Sequence, residues 1–397
     1  MWRSFLYAAI IFLVFLTVAE AVVRVGFFVA KGFSPYYLTF GFVGDIERHS
    51  AEFDGYTKFQ PNTTYHYKVN RDVSFAMKIN GDGFRSTTEF IKPKPAGTVR
   101  VVSLGESSTF GLANNDDETY PYLLQQELRG RVSDRPVDVY NLGIPHYRTN
   151  HILAVARAEL AGLQPDIVTF YAGYNNSMMI RPQQTGFLLT TKDWLKNHLV
   201  TYRAINPYVA SAYQNIARLM GKDVVGLATL SLPVELPAAA VAQRRAESRA
   251  EFGRDLEALA ETIDQMGAQL VLVTQTYTLR RLPAHGLYDR WRTYGEELAY
   301  VDSMLTANGS VPAPYSTLLI HNDLMNDLRA MAARRGLKVV EGIATLDTDR
   351  ERNMATYVHL TRAGNERLAK AIANTLVEAP PFRAPAQAGG SIASGNN

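Results

Sequence analysis

Three residue types at three positions would suffice for acyl transfer through a serine. Ser107 lies in "SLGESSTFG" (residues 103–111), Asn175 in "GYNN" (173–176) and His359 in "VHLT" (358–361). A serine where a strand ends and a helix begins is exposed, and the backbone N–H groups beside it lack intrahelical partners. A histidine takes the hydroxyl proton as the serine attacks and returns it to the leaving group. An asparagine amide, together with a loop N–H, donates to the oxyanion of the tetrahedral intermediate; each good donor is worth about 3–4 kcal/mol. A fourth loop, "GIPHY" (143–147), contributes Gly143 and His146. Ser108 reads as a helix N-terminal serine.

The chemistry exists only if these loops converge. Short apolar, β-branched runs occupy residues 99–104, 137–142, 167–171, 270–274 and 337–340, with helical stretches such as 120–128 and 152–163 between them. The alternation predicts an α/β fold: a five-stranded parallel sheet with helices on both faces. Ligands in such sheets bind outside the carboxyl ends of the strands. Residues 105–108 follow the first strand, 143–147 the second and 173–176 the third. Residues 357–361 follow the fifth and lead into a helix over 362–376. The site is not the Gly-x-Ser-x-Gly elbow of α/β-hydrolases, because position 109 is Thr.

Around this domain, assigned to residues 97–378, lie three further segments. Residues 26–96 read as a β-rich lead-in. There "TTYHYKVNRDVSFAMKING" (63–81) alternates like a hairpin, Asn80-Gly81 signals a turn, and Lys92-Pro93-Lys94-Pro95 makes a short stiff linker. An insertion over about 177–265 separates the third and fourth strands, with an apolar flap at 224–236 and a charged helix at 244–266. The Pro/Gly/Ser-rich tail at 379–397 is expected to be disordered.

The 397 residues are 47% hydrophobic and 20% charged, with net charge +3 spread along the chain and no cysteine. This composition is globular, and it excludes disulfides, thiolate metal sites and a Cys nucleophile; nucleic acid is not an expected partner. No metal or cofactor motif is present. At the N-terminus, "FLYAAIIFLVFLTVA" (5–19) carries no charge and follows Arg3. Residues 1–25 read as a signal anchor or as a signal peptide cut near Ala19-Glu20-Ala21. The anchor is favoured because apolar residues continue past that point. It would give a single-pass protein with its bulk periplasmic or extracellular.

Taken in order, "LGESSTFG", "NLGIPHYRT", "GYNN" and "VHLTRAGNERLA" resemble the blocks of the SGNH (GDSL-type) hydrolase superfamily, over residues 99–376. "INGDGFRS" (79–86) and the Glu20-x-x-x-Arg24 end of the apolar run are similar to membrane-anchored bacterial members. The resemblance implies a flavodoxin-like strand order, and it implies that Ser107 is the nucleophile, with its own N–H in the oxyanion hole. It makes Asn175 the side-chain donor and His359 the general base. The second-block donor is usually a glycine; its place here is held by His146, with Gly143 the alternative. Three departures stand out. Glu106 and Asn176 each replace an Asp, and Thr356 stands where an Asp normally orients the histidine. Thr356 itself, a backbone carbonyl, or Asp347 or Asp349 from upstream could take that role. The family's activity implies a serine esterase or O-acyl transferase, with O-acetylated cell-surface or extracellular polysaccharide as the expected substrate. A lipid ester or thioester is the alternative within that class. A catalytically silent domain that binds polysaccharide in an export or assembly complex is the alternative outside it.

Overall fold

The computed structural model describes residues 2–30, 52–53, 56–68, 74–178, 201, 235–280, 290–378 and 380–382. Most of the insertion, including 224–234 of the flap, lies outside the described residues, as does the tail from 383 onward. The chain forms two compact units: residues 1–48 with 180–232, and residues 49–179 with 233–397.

The second unit is built on five strands, Val99–Gly105, Val137–Asn141, Ile167–Tyr171, Gln269–Val273 and Lys338–Val340. Across the sheet they run fifth, fourth, third, first, second, and every pairing is parallel. This is the expected flavodoxin-like order. The first strand is interior, between the third and the second, and buried along its whole length, with Val101 paired to Val139 on one side and Ile167 on the other. The chain steps from the first strand out to the second and then back to the third. That reversal opens a crevice at the carboxyl ends of the first and third strands, the ligand position in sheets of this order.

Period-2 alternation sends neighbouring strand residues to opposite faces. Val101 and Tyr171 pack with Leu124 and Leu128 of helix Tyr120–Arg131 and with Leu368, Ile372 and Leu376 of helix Arg362–Val377. Phe170 points the other way, towards Phe252, at 6.4 Å between rings. Phe252 belongs to helix Ala238–Gln265, which packs against helices Thr149–Leu163 and Ala313–Arg335. Helix Ala238–Gln265 corrects the sequence reading: that reading counts it into the insertion, whereas it is the sheet's own crossover from third to fourth strand. Two helices in the last crossover, Tyr294–Asn308 and Ala313–Arg335, were not anticipated. Their signals were present: Thr293 and Glu296 form a reciprocal capping box, and Gly309 and Gly336 end the helices in the left-handed region.

In the lead-in, Thr64–Lys68 pairs antiparallel with Ser74–Lys78. The Asn80 side chain accepts from the N–H groups of Asp82 and Phe84 and turns the chain so that Arg85 bridges back to Ile79. The linker is tied down by Lys94, which pairs with Asp166 at 2.7 Å.

The first unit contains helix Trp2–Ala30. Its segment Leu6–Gly26 has mean hydropathy 2.5 and is long and apolar enough to cross a membrane; a signal sequence shares those properties. Glu20 and Arg24 form an i,i+4 pair at 2.9 Å near its end.

Candidate active site

The first strand runs directly into a four-residue helix, Ser107–Phe110, and Ser107 is its first residue. The sharp turn requires Gly105: a side chain there would meet Thr109 Oγ1 at 2.0 Å and the Tyr171 carbonyl at 2.4 Å. The N–H groups of Gly111 and Leu112 both donate to the Ser107 carbonyl at 3.0 Å and close the turn. Ser107 is 7% exposed.

Beneath it, the Glu106 carboxylate reaches across two loops. It accepts from the N–H groups of Tyr174 (3.2 Å) and Asn175 (3.0 Å) and from Gln275 Nε2 (2.6 Å). Gln275 Oε1 in turn accepts from the Tyr174 N–H at 2.7 Å. Burial pushes the Glu106 carboxyl up to about 7, while these donors pull it down. Glu106 and Gln275 therefore bind together the ends of the first, third and fourth strands. The sequence reading noted Glu106 as a longer replacement for Asp and missed Gln275, a polar residue directly after an apolar strand.

His359 comes from the loop between the short helix Arg350–Asn353 and helix Arg362–Val377. Its Nε2 lies 2.9 Å from Ser107 Oγ and its Nδ1 lies 2.9 Å from Thr356 Oγ1. The loop is pinned on both sides of the ring. Ser108 Oγ donates to the Val358 carbonyl (3.1 Å) and Asn114 Nδ2 to the Leu360 carbonyl (2.9 Å). The His359 carbonyl accepts from the N–H groups of Ala355 and Thr356. Burial, with a smaller contribution from His146, lowers the His359 imidazole to about 4.

Both upstream acids are engaged elsewhere. Asp347 accepts from the Tyr294 N–H at 3.0 Å and pairs with Arg350 at 3.3 Å. Asp349 caps helix Arg350–Asn353 through the Arg352 N–H. The alternative that either Asp orients His359 is therefore corrected: Thr356 occupies that position.

The two candidates for the second-block donor separate. The Gly143 N–H donates to Asn141 Oδ1 at 2.9 Å, and a side chain at 143 would meet the Phe110 nitrogen at 2.3 Å. Gly143 is thus a close-packing residue against the serine turn, which corrects its candidacy as donor. His146 is exposed and has φ +63°. That left-handed backbone is the conformation glycine adopts most readily. Asn175 Nδ2 donates to the Tyr147 carbonyl at 3.0 Å and carries a second N–H. Asn176 has a structural role: it accepts from the Thr149 N–H and donates to Thr149 Oγ1, at the start of helix Thr149–Leu163. Beyond His359 stands a run of tyrosines, with Tyr357 6.2 Å from its ring and Tyr174 5.2 Å from Tyr357.

Residues 103–367 match a family model described as GDSL-like Lipase/Acylhydrolase. Solved structures with similar backbones include the lipase/acylhydrolase from Enterococcus faecalis, at 15% identity and TM-score 0.39, covering 70% of this chain and 95% of that one. Another is an acetyl xylan esterase variant from Geobacillus stearothermophilus, at 13% identity and TM-score 0.38, covering 70% and 93%. No curated protein matches the sequence.

Proposed function

Because the chain belongs to the GDSL-like lipase/acylhydrolase family, we propose that it is a membrane-anchored, extracytoplasmic serine esterase or O-acyl transferase, with Ser107 as nucleophile and His359 as general base. The observation that carries this reading is the 2.9 Å contact between Ser107 Oγ and His359 Nε2. Its substrates are ester-linked acyl groups, with O-acetyl groups of cell-surface or extracellular polysaccharide first. The apolar helix at the N-terminus supports the anchor, and the aromatic faces beside His359 suit a ring-shaped, hydroxylated substrate.

For His359 to act as a base, Nε2 must be unprotonated, so the ring proton sits on Nδ1 and is donated to Thr356 Oγ1. Ser107 Oγ attacks the ester carbonyl carbon as its proton passes to Nε2. The tetrahedral oxyanion accepts from the Ser107 N–H, the free arm of the Asn175 amide and the N–H of the His146 loop. The intermediate collapses, the ester C–O bond breaks, and the imidazolium returns its proton to the departing alkoxide. Water, or a sugar hydroxyl in the transferase case, then attacks the acyl-enzyme by the same route and releases Ser107.

Thr356 is the reason to retain a second reading. A hydroxyl is neutral, and it stabilises the imidazolium far less than a carboxylate does. The silent polysaccharide-binding domain is the limiting case of that deficit. Fluorophosphonate labelling and p-nitrophenyl acetate hydrolysis separate the two. The enzyme reading expects labelling on Ser107 and turnover, with both lost in Ser107→Ala. Wild-type protein that neither labels nor turns over would favour the silent domain, and labelling unchanged in Ser107→Ala would remove Ser107 as nucleophile.

A further inference from the structure

The lead-in supplies the serine turn with a charged side chain. Arg85, from "INGDGFRS", is 3% exposed. Its Nη1 donates to the carbonyls of Phe110 (3.1 Å) and Gly111 (2.7 Å), and its Nη2 to those of Asn114 (2.7 Å) and Ala76 (3.4 Å). Its Nε pairs with Asp116 at 2.8 Å, and the guanidinium lies 5.1 Å over the Phe110 ring.

A four-residue helix has no length over which to distribute strain, and its last carbonyls have no intrahelical donors. Arg85 supplies those donors with a charged, planar fork, which holds several acceptors in fixed geometry. The same turn closes through the Gly111 N–H onto the Ser107 carbonyl. Holding Phe110 and Gly111 therefore fixes the backbone of Ser107, both the direction of its N–H and the start of its side chain. A displacement of about 1 Å at such a position costs on the order of a hundredfold in rate.

We propose that Arg85 is a positioning residue for the serine turn, which makes the lead-in part of the catalytic apparatus rather than a spacer. The inference rests on the reading of Ser107 as nucleophile. It concerns a residue that acts through the turn and touches no substrate.

The test is a time course of fluorophosphonate labelling on full-length protein, recording the rate constant and the labelled fraction separately. Arg85→Gln and Arg85→Lys are compared with wild type, and Ser107→Ala is the control for the underlying reading. The expected result is complete labelling with a rate constant reduced roughly tenfold to a hundredfold, Arg85→Lys being the milder. Asp116→Asn removes the charge opposite Nε but keeps an oxygen acceptor there and leaves the bonds to the carbonyls; with the turn geometry preserved, it is expected to label with a rate constant within about twofold of wild type. A merely structural role gives the opposite signature, a smaller labelled fraction at the wild-type rate constant. That signature overturns the proposal. So does a rate constant unchanged in both Arg85 variants, a loss in Asp116→Asn as large as in Arg85→Lys, or loss of the fold in both Arg85 variants. Labelling that survives in Ser107→Ala instead removes the functional reading itself, whatever the Arg85 variants do.

Discussion

The serine turn and the histidine loop face each other across 2.9 Å, and they are supported in different ways. The turn is held by ionisable side chains. Arg85 grips its carbonyls from the lead-in, and Glu106 with Gln275 ties it to the third and fourth strands. The histidine loop is held by neutral groups: Ser108 on Val358, Asn114 on Leu360 and Thr356 on the ring itself. Both arrangements fix position. Only a carboxylate on Nδ1 would also raise the basicity of the ring, and the loop carries none at that position. The difference separates two contributions that a catalytic triad combines, the placing of the imidazole and the stabilising of its charge. This site has the first without the second.

Removing the ring has the largest expected effect. His359→Ala leaves the turn intact and is expected to lower kcat for p-nitrophenyl acetate by at least about a thousandfold, since members of such a unit fail together. A loss under tenfold would mean that another base serves Ser107.

Supplying the missing charge acts on the imidazolium alone. Thr356→Asp places a carboxylate three residues before His359, where it can accept from Nδ1–H and stabilise the imidazolium. The expected outcome is a gain in kcat of about tenfold or more, because the charged partner is worth up to about four orders of magnitude in a full triad. A fall in rate with the fold intact would show that Thr356 is matched to this loop in another way.

The smallest effect comes from the join between the two regions. Ser108→Ala deletes the hydrogen bond to the Val358 carbonyl, with the longer one that Ser108 Oγ accepts from Gln275 Nε2 at 3.3 Å, and leaves Asn114 in place. A neutral hydrogen bond is worth about 1 kcal/mol, so a loss of about two- to tenfold in kcat is expected, with KM nearly unchanged. No change would mean that Asn114 and the backbone bonds suffice to hold the loop.

Much of this was legible in the residues. The strands lie within one or two residues of the β-branched runs, because a strand buried on both faces reads as a mostly apolar segment, broken here only at positions such as Arg100 and Asp138. Ser107 and Asn175 could be ranked because each follows a strand, where a parallel sheet presents its loops; His359 was expected after the fifth strand but stands beyond two short helices, Gly342–Asp347 and Arg350–Asn353, and only its motif marked it. Thr356 was visible as a departure, and the structure gives it the contact that an Asp would make. Less could be read where a side chain's partner is set by tertiary geometry. Arg85 lies 22 residues before Ser107 in the chain, and no periodicity links them. Gln275 has no motif. Asp347 and Asp349 were plausible by spacing alone, and their true partners, Tyr294, Arg350 and Arg352, are fixed by how the last crossover folds. Gly143 and His146 could be distinguished only once the backbone showed one N–H engaged and one φ positive.

The central claim is that Ser107 is activated by a well-placed imidazole lacking a charged partner, and the pH dependence of Ser107 labelling tests it most directly. His359 must be neutral to accept the proton, so labelling is present above its pKa and lost as pH falls through it. Burial holds that value near 4. The acid limb of the labelling rate is expected near pH 4 in the wild type and higher in Thr356→Asp, where the new carboxylate favours the charged ring. A wild-type limb near the ordinary histidine value of about 6.5, unmoved by Thr356→Asp, would contradict it.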